Sequence, residues 1–239
     1  MKDAAEKLLS FLTKNEITDI LTTNYDGLIE HLLLSQNAKL ISKNNSETIY
    51  SIRRNYVYEY NKKTITLWKI HGDTAAPKSL MLGLDHYCGA IGKMDDYIKH
   101  GRLGRKQTDN PVEKKFPNKA KSDMSKKEIT TVQFQWIDLF FAATIYFIGF
   151  GLDFSETDIW WLLNKRARFK EKLEISNEIF FYAPQPQETE LEEVKAKAKE
   201  KVLESFGVQY QSVSYEFVKN SANPKYLLSV YKMISQQRK

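Results

Sequence analysis

Three short clusters in the 239-residue chain carry residue types that do chemistry. The first, Thr22-Thr23-Asn24-Tyr25-Asp26, sets hydroxyls, an amide and a carboxylate within five residues. Asn and Asp at a strand end often serve as helix N-caps, while a polar cluster there can also face a ligand. The second, Ile70-His71-Gly72-Asp73, offers an imidazole able to act as a general base near neutral pH. The third is Gly149-Phe150-Gly151-Leu152. Glycines let a phosphate or ribose approach the backbone closely, and a tight turn without ligand needs them equally. Other fingerprints are absent. The ten glycines form no G-x-G-x-x-G, because Phe154 stands where the third small residue belongs, and there is no G-x-x-x-x-G-K-[ST], H-E-x-x-H or G-x-S-x-G. His31, His71, His86 and His100 show no metal-ligand spacing, and His31 is expected on a helix surface.

Each cluster follows an apolar run. Residues 18–23 read as a strand, and Leu28, Ile29, Leu32, Leu33 and Leu34 after the polar turn read as a helix. Residues 64–70 alternate as a strand that stops at His71. Thr144-Ile145-Tyr146-Phe147-Ile148 is nearly continuous, as for a strand buried on both faces of a parallel sheet. In α/β proteins ligands bind at the carboxyl ends of strands, so these three positions have functional value. Around them, residues 3–15 read as an amphipathic helix, 50–52 and 56–58 as a hairpin, 80–82 as a short strand, 85–100 and 128–142 as helices, and 155–172 as a helix. Strand, helix, strand and helix follow over 178–182, 188–206, 208–213 and 224–236. The expected fold is α/β: a doubly wound, mostly parallel, Rossmann-like sheet with a small inserted region of short strands. One domain over 1–239 is expected, with 41–130 a small subdomain that includes a flexible basic loop over 101–128.

The net charge of +6 resides mainly in that loop: residues 101–130 hold nine Lys/Arg and four Asp/Glu. Phe116 is the only aromatic interleaved there, so nucleic acid is not the expected partner. Cys88 is the single cysteine, which excludes an intramolecular disulfide and a cysteine-based zinc site and suits a reducing, cytoplasmic setting. No apolar run approaches the ~20 residues that span a bilayer.

In order and spacing the three clusters resemble the sirtuin superfamily, whose motifs T-Q-N-x-D, L-H-G and G-[TS]-S-L read here as TTNYD, IHG and GFGL. The resemblance covers roughly residues 15–185 and is nearer to divergent bacterial sirtuin-like domains that hydrolyse NAD, several of them in antiphage defence. It implies that NAD is the substrate, cleaved to nicotinamide and ADP-ribose. By it, Asn24 holds the nicotinamide ribose and a reacting water, and Asp26 binds the carboxamide. His71 is the general base, Thr22 and Thr23 support the ribose, and Gly149, Phe150, Gly151 and Leu152 line the adenine-ribose and phosphate path. His71 and Asn24 are thus the expected catalytic pair. Thr23 replaces the family's Gln, and Gly151 replaces a Ser hydroxyl. No zinc is expected, which disfavours protein deacylation. The family's opening G-A-G-x-S strand has no counterpart before Thr22, so the chain reads as N-terminally incomplete. A homo-oligomer or partner protein fits the resemblance. The competing reading is a catalytically inactive sirtuin-like interaction module, followed by nucleic-acid binding, ADP-ribosyl transfer and deacylation.

Overall fold

The computed structural model describes residues 2–45, 49–100, 135–173, 175–185, 189–215 and 224–237. The basic segment 101–130 and the start of the helix expected over 128–142 lie outside the described residues. The chain divides into two compact units, Met1–Ala90 with Met233–Lys239, and Ile91–Lys232.

The first unit begins with helix α1 (Lys2–Lys14), whose Ala5, Leu9 and Leu12 fall on one buried stripe. Strand β1 (Asp19–Thr22) leads through a polar turn to α2 (Leu28–Ser35). The expected exposure of His31 on this helix is observed. Strands β2 (Lys39–Asn44), β3 (Asn55–Tyr60) and β4 (Lys63–Lys69) follow, then a 3-10 turn (Pro77–Ser79) and the start of α3 (Leu84–His100), whose residues from Ile91 on belong to the second unit. The four strands form one sheet in the order β1-β4-β3-β2. β3 and β4 are a hairpin closed by Asn61 (φ 49°) and Lys62 (φ 62°), two successive left-handed residues as a type I′ turn requires. β4 then pairs in parallel with β1, Thr22 opposite Lys69. In the β3–β4 register Tyr56 faces Leu67 and Tyr58 faces Ile65, and all four are buried. Lys69 continues that apolar face two residues beyond Leu67 and is itself 1% exposed.

The second unit holds α4 (Trp136–Ala142), β5 (Ile145–Ile148), α5 (Thr157–Leu173), β6 (Ile179–Pro184), α6 (Glu190–Ser205), β7 (Gln209–Val213) and most of α7 (Pro224–Gln237). Its strands form a parallel sheet in the order β5-β6-β7. Asp138 opens α4 by accepting the Gln135 backbone N–H at 2.8 Å and the Tyr97 hydroxyl at 2.6 Å. Thr189 caps α6 by accepting the Glu192 N–H at 3.3 Å. The Arg166 guanidinium, fully buried in α5, donates to the Asn177 side chain at 3.0 Å and its carbonyl at 2.5 Å. Asn177 in turn donates to the Ala143 carbonyl just past α4 at 2.7 Å.

The α/β class and the alternation of the second half are as the sequence leads one to expect. Four points differ. The strands fall into two sheets, one mixed and one parallel, where a single doubly wound sheet is expected. The short strands β2–β4 are not an insertion apart from β1: they are the rest of its sheet. The partner of β3 is Lys39–Asn44, not 50–52, because Ser51 Oγ accepts the Arg53 N–H at 3.2 Å in a bend. Residues 80–82 form no strand: Leu80 N–H closes the 3-10 turn on the Pro77 carbonyl at 3.2 Å, Met81 N–H donates to the His71 carbonyl at 2.9 Å, and Leu82 N–H donates to His86 Nδ1 at 2.8 Å. β5 is the half-buried edge of its sheet, and the fully buried centre is β6.

Candidate active site

Parallel pairing of β1 and β4 sets the TTNYD and IHG motifs at the same end of one sheet. The ladder runs past its last pair, with Ile70 N–H donating to the Thr22 carbonyl at 2.9 Å. Thr22 is buried and its hydroxyl accepts the Asn24 N–H at 3.1 Å, which turns the chain out of the sheet. Thr23 is half-buried, and Asn24 and Asp26 are exposed. The N-cap of α2 is Gly27, not an Asn or Asp, and the Asp26 carboxylate just before it accepts the Leu28 N–H at 3.0 Å.

Tyr25, unremarked in sequence, ties the two motifs together. Its hydroxyl donates to the Met81 carbonyl at 2.5 Å. Its carbonyl accepts the Thr74 N–H at 2.9 Å and the Thr74 hydroxyl at 3.1 Å. Beneath the turn, Lys69 Nζ donates to the Asp26 carbonyl and pairs with the Glu30 carboxylate at 3.0 Å. The Lys69 side chain is fully buried, so its charge is held by α2 rather than by water. The available sequence signal was a lysine on the apolar face of an alternating strand.

His71 is 1% exposed, its ring edge-on to Tyr87 at 5.2 Å between centroids. Gly72 takes φ +113°, and a Cβ there would collide with the Ser79 carbonyl and lie 2.8 Å from Leu80 Cα, so only glycine fits. Asp73 is buried yet well supplied with donors. Its carboxylate accepts the Tyr56 hydroxyl and the Ala75 N–H (2.8 Å), while its own N–H donates to Ser79 Oγ at 3.0 Å. Burial, the hydrogen bond to Asp73 and the charges of Asp73 and Glu30 hold the Tyr56 phenol far above its ordinary value, so it remains a donor. Burial and the same carboxylates push Tyr58 up to about 12.

In the second unit, Gly149-Phe150-Gly151-Leu152 follows β5. Gly149 (φ +63°) and Leu152 (φ +47°) are both left-handed, which folds the loop back on itself. The Tyr226 hydroxyl accepts the Gly149 N–H at 3.4 Å and donates to the Tyr182 carbonyl at 2.7 Å. Lys199 Nζ donates to the Gly151 carbonyl at 2.5 Å, and Phe150 stacks on Phe147 at 5.7 Å. Gly151 itself has room: a Cβ there would come no closer than 3.6 Å to Asp153.

The first unit therefore brings Thr22, Thr23, Asn24 and Asp26 to the strand end next to that of His71, and adds Tyr25, Glu30, Tyr56, Lys69 and Asp73 to the set. No helix among the described residues is long and apolar enough to cross a membrane. No curated protein and no solved structure matches the chain. A family model, the SIR2-like domain, matches residues 18–210, a span that holds all three motifs; the chain belongs to this family.

Proposed function

We propose that the protein hydrolyses NAD to nicotinamide and ADP-ribose. One observation carries the proposal: in a SIR2-like chain, the parallel pairing of β1 with β4 puts the Asn24 turn and His71 at one sheet end. Asn24 orients the ribose and a water, and His71 takes a proton from that water as it attacks the ribose anomeric carbon. The carbon–nitrogen bond breaks, and its electron pair neutralises the departing nicotinamide. Positive charge builds on the ribose on the way, which fixed carbonyl and carboxylate dipoles stabilise. Asp26 meets the carboxamide, and Thr22 and Thr23 back the ribose. Gly149, Phe150, Gly151 and Leu152 are nucleotide contacts by resemblance of the GFGL motif. The same resemblance extends the proposal to a cytoplasmic, self-associating protein of antiphage defence.

Nicotinamide release from NAD, followed by chromatography, tests this. The wild type releases it, and His71→Ala and Asn24→Ala each lower the rate by roughly 100-fold or more. No release by the wild type, alone or with a candidate activator, overturns the proposal. The burial of the His71 ring favours the second reading, an inactive interaction module. Micromolar NAD binding by calorimetry speaks against that reading.

A further inference from the structure

We infer that Tyr56 and Asp73 form a positioning pair for His71, holding the imidazole in the orientation that NAD cleavage needs. The inference rests on the assignment of His71 as general base. Neither residue stands in the motifs that carry the resemblance to sirtuins: Tyr56 comes from the middle of the sheet, and Asp73 lies two residues past the histidine.

Three hydrogen bonds and one glycine fix the turn that bears His71. Its carbonyl accepts the Met81 N–H at 2.9 Å, and Met81 is held in turn by the Tyr25 hydroxyl. Gly72 fixes the chain direction directly after it, in a conformation and a space that admit no side chain. Asp73 N–H is anchored on Ser79 Oγ. The Asp73 carboxylate joins this turn to the rigid sheet through the Tyr56 hydroxyl. This last link reaches from the turn to a side chain of a neighbouring strand. A carboxylate 3% exposed is costly unless its oxygens are occupied, and Tyr56 and the Ala75 N–H occupy one each. Removing the Tyr56 hydroxyl frees one oxygen of a buried charge, and the turn must shift to bring it another donor. A displacement of about 1 Å at a catalytic group is enough to cost roughly 100-fold in rate.

The test compares Tyr56→Phe and Asp73→Asn in the wild-type and His71→Ala backgrounds, with urea unfolding to verify the fold. Asp73→Asn keeps the size of the side chain and the acceptor for Ala75, so it serves where Tyr56→Phe does not fold. Expected is a fall in kcat of roughly 10- to 100-fold with KM for NAD changed less than about twofold. In the His71→Ala background the residual rate does not change further, because the pair acts through the imidazole. An equal loss in both backgrounds, or no loss in either, overturns the inference. Long-range nitrogen–proton NMR of the His71 ring, assigned by its disappearance in His71→Ala, reads the same question without turnover. Tyr56→Phe is expected to shift or split the ring signals, and unchanged signals overturn the inference. A wild type that releases no nicotinamide overturns the NAD reading, and the ring signals still decide whether Tyr56 and Asp73 position His71.

Discussion

The two units brace their loops by different means. In the first, Thr22, Arg54, Lys69, His71, Asp73 and Ser79 are all buried, and the loops at the β1–β4 end are tied by directional bonds from Tyr25, Tyr56 and Lys69. In the second, the sheet is lined with aromatic stacks: Tyr146 on Phe180 at 5.5 Å, Phe181 on Tyr210 at 5.8 Å, Phe147 on Phe150. Its glycine loop has few polar braces, Tyr226 and Lys199. Hydrogen bonds fix a group at one distance and one angle, whereas stacked rings tolerate sliding. The contrast is one of directional bracing at the β1–β4 end of the first unit against ring packing in the second.

Four experiments break or sharpen this contrast. Gly72→Ala has the largest expected effect. It adds a left-handed Cβ against the Ser79 and Leu80 backbone, and urea unfolding should lose roughly 3 kcal/mol or more. Lys69→Met comes next. It leaves Glu30 and the Asp26 carbonyl without their cation, for a loss of about 3 kcal/mol, and Glu30→Gln in the same chain should restore part of it. No loss for Lys69→Met erases the polar bracing on which the comparison stands. A smaller, pH-dependent effect belongs to the second unit. Burial pushes the Asp95 carboxyl up, but hydrogen bonds from Lys165 (2.8 Å) and Lys99 outweigh it and hold the group below its ordinary value. A carboxyl so lowered stabilises the fold above about pH 4, and that contribution is lost as pH falls through its folded value. Thermal melts between about pH 5 and about pH 2 should therefore fall more steeply for wild type than for Asp95→Asn. Equal slopes dispose of the pair. The smallest effect is expected for Gly151→Ser, whose new Cβ meets only ordinary contacts. Stability should change by less than about 0.5 kcal/mol, and a lower KM for NAD would identify the loop as a nucleotide contact.

Much of this was legible in the chain. Alternation over 64–70 located β4, the polar break after Thr22 located α2, and the charged run ending at Gly207 located α6, whose bounds are Glu190–Ser205. Local pattern carries such elements because each obeys its own period. Pairing is another matter. Nothing in Lys39–Asn44, exposed along nearly its whole length, announces a partner for β3. The apolar run of β5 was a sound guide to a strand but not to its place, because edge and centre differ in neighbours and not in propensity. At the site, His71 and Asn24 were visible as types that do chemistry. Asp73 was visible beside His71, but its partner was not, and Lys69 and Tyr56 were not visible at all, because these roles come from distances across the sheet.

The strand order also bears on how the protein comes into being. The β3–β4 hairpin closes locally through Asn61 and Lys62, while Thr22 pairs with Lys69 across about half of the first unit. Contacts between residues so far apart in sequence close slowly, since their loop entropy is spent before any pairing rewards it. A nascent or frayed chain in which β1 has not yet paired with β4 carries Asn24 and His71 but not their shared sheet end.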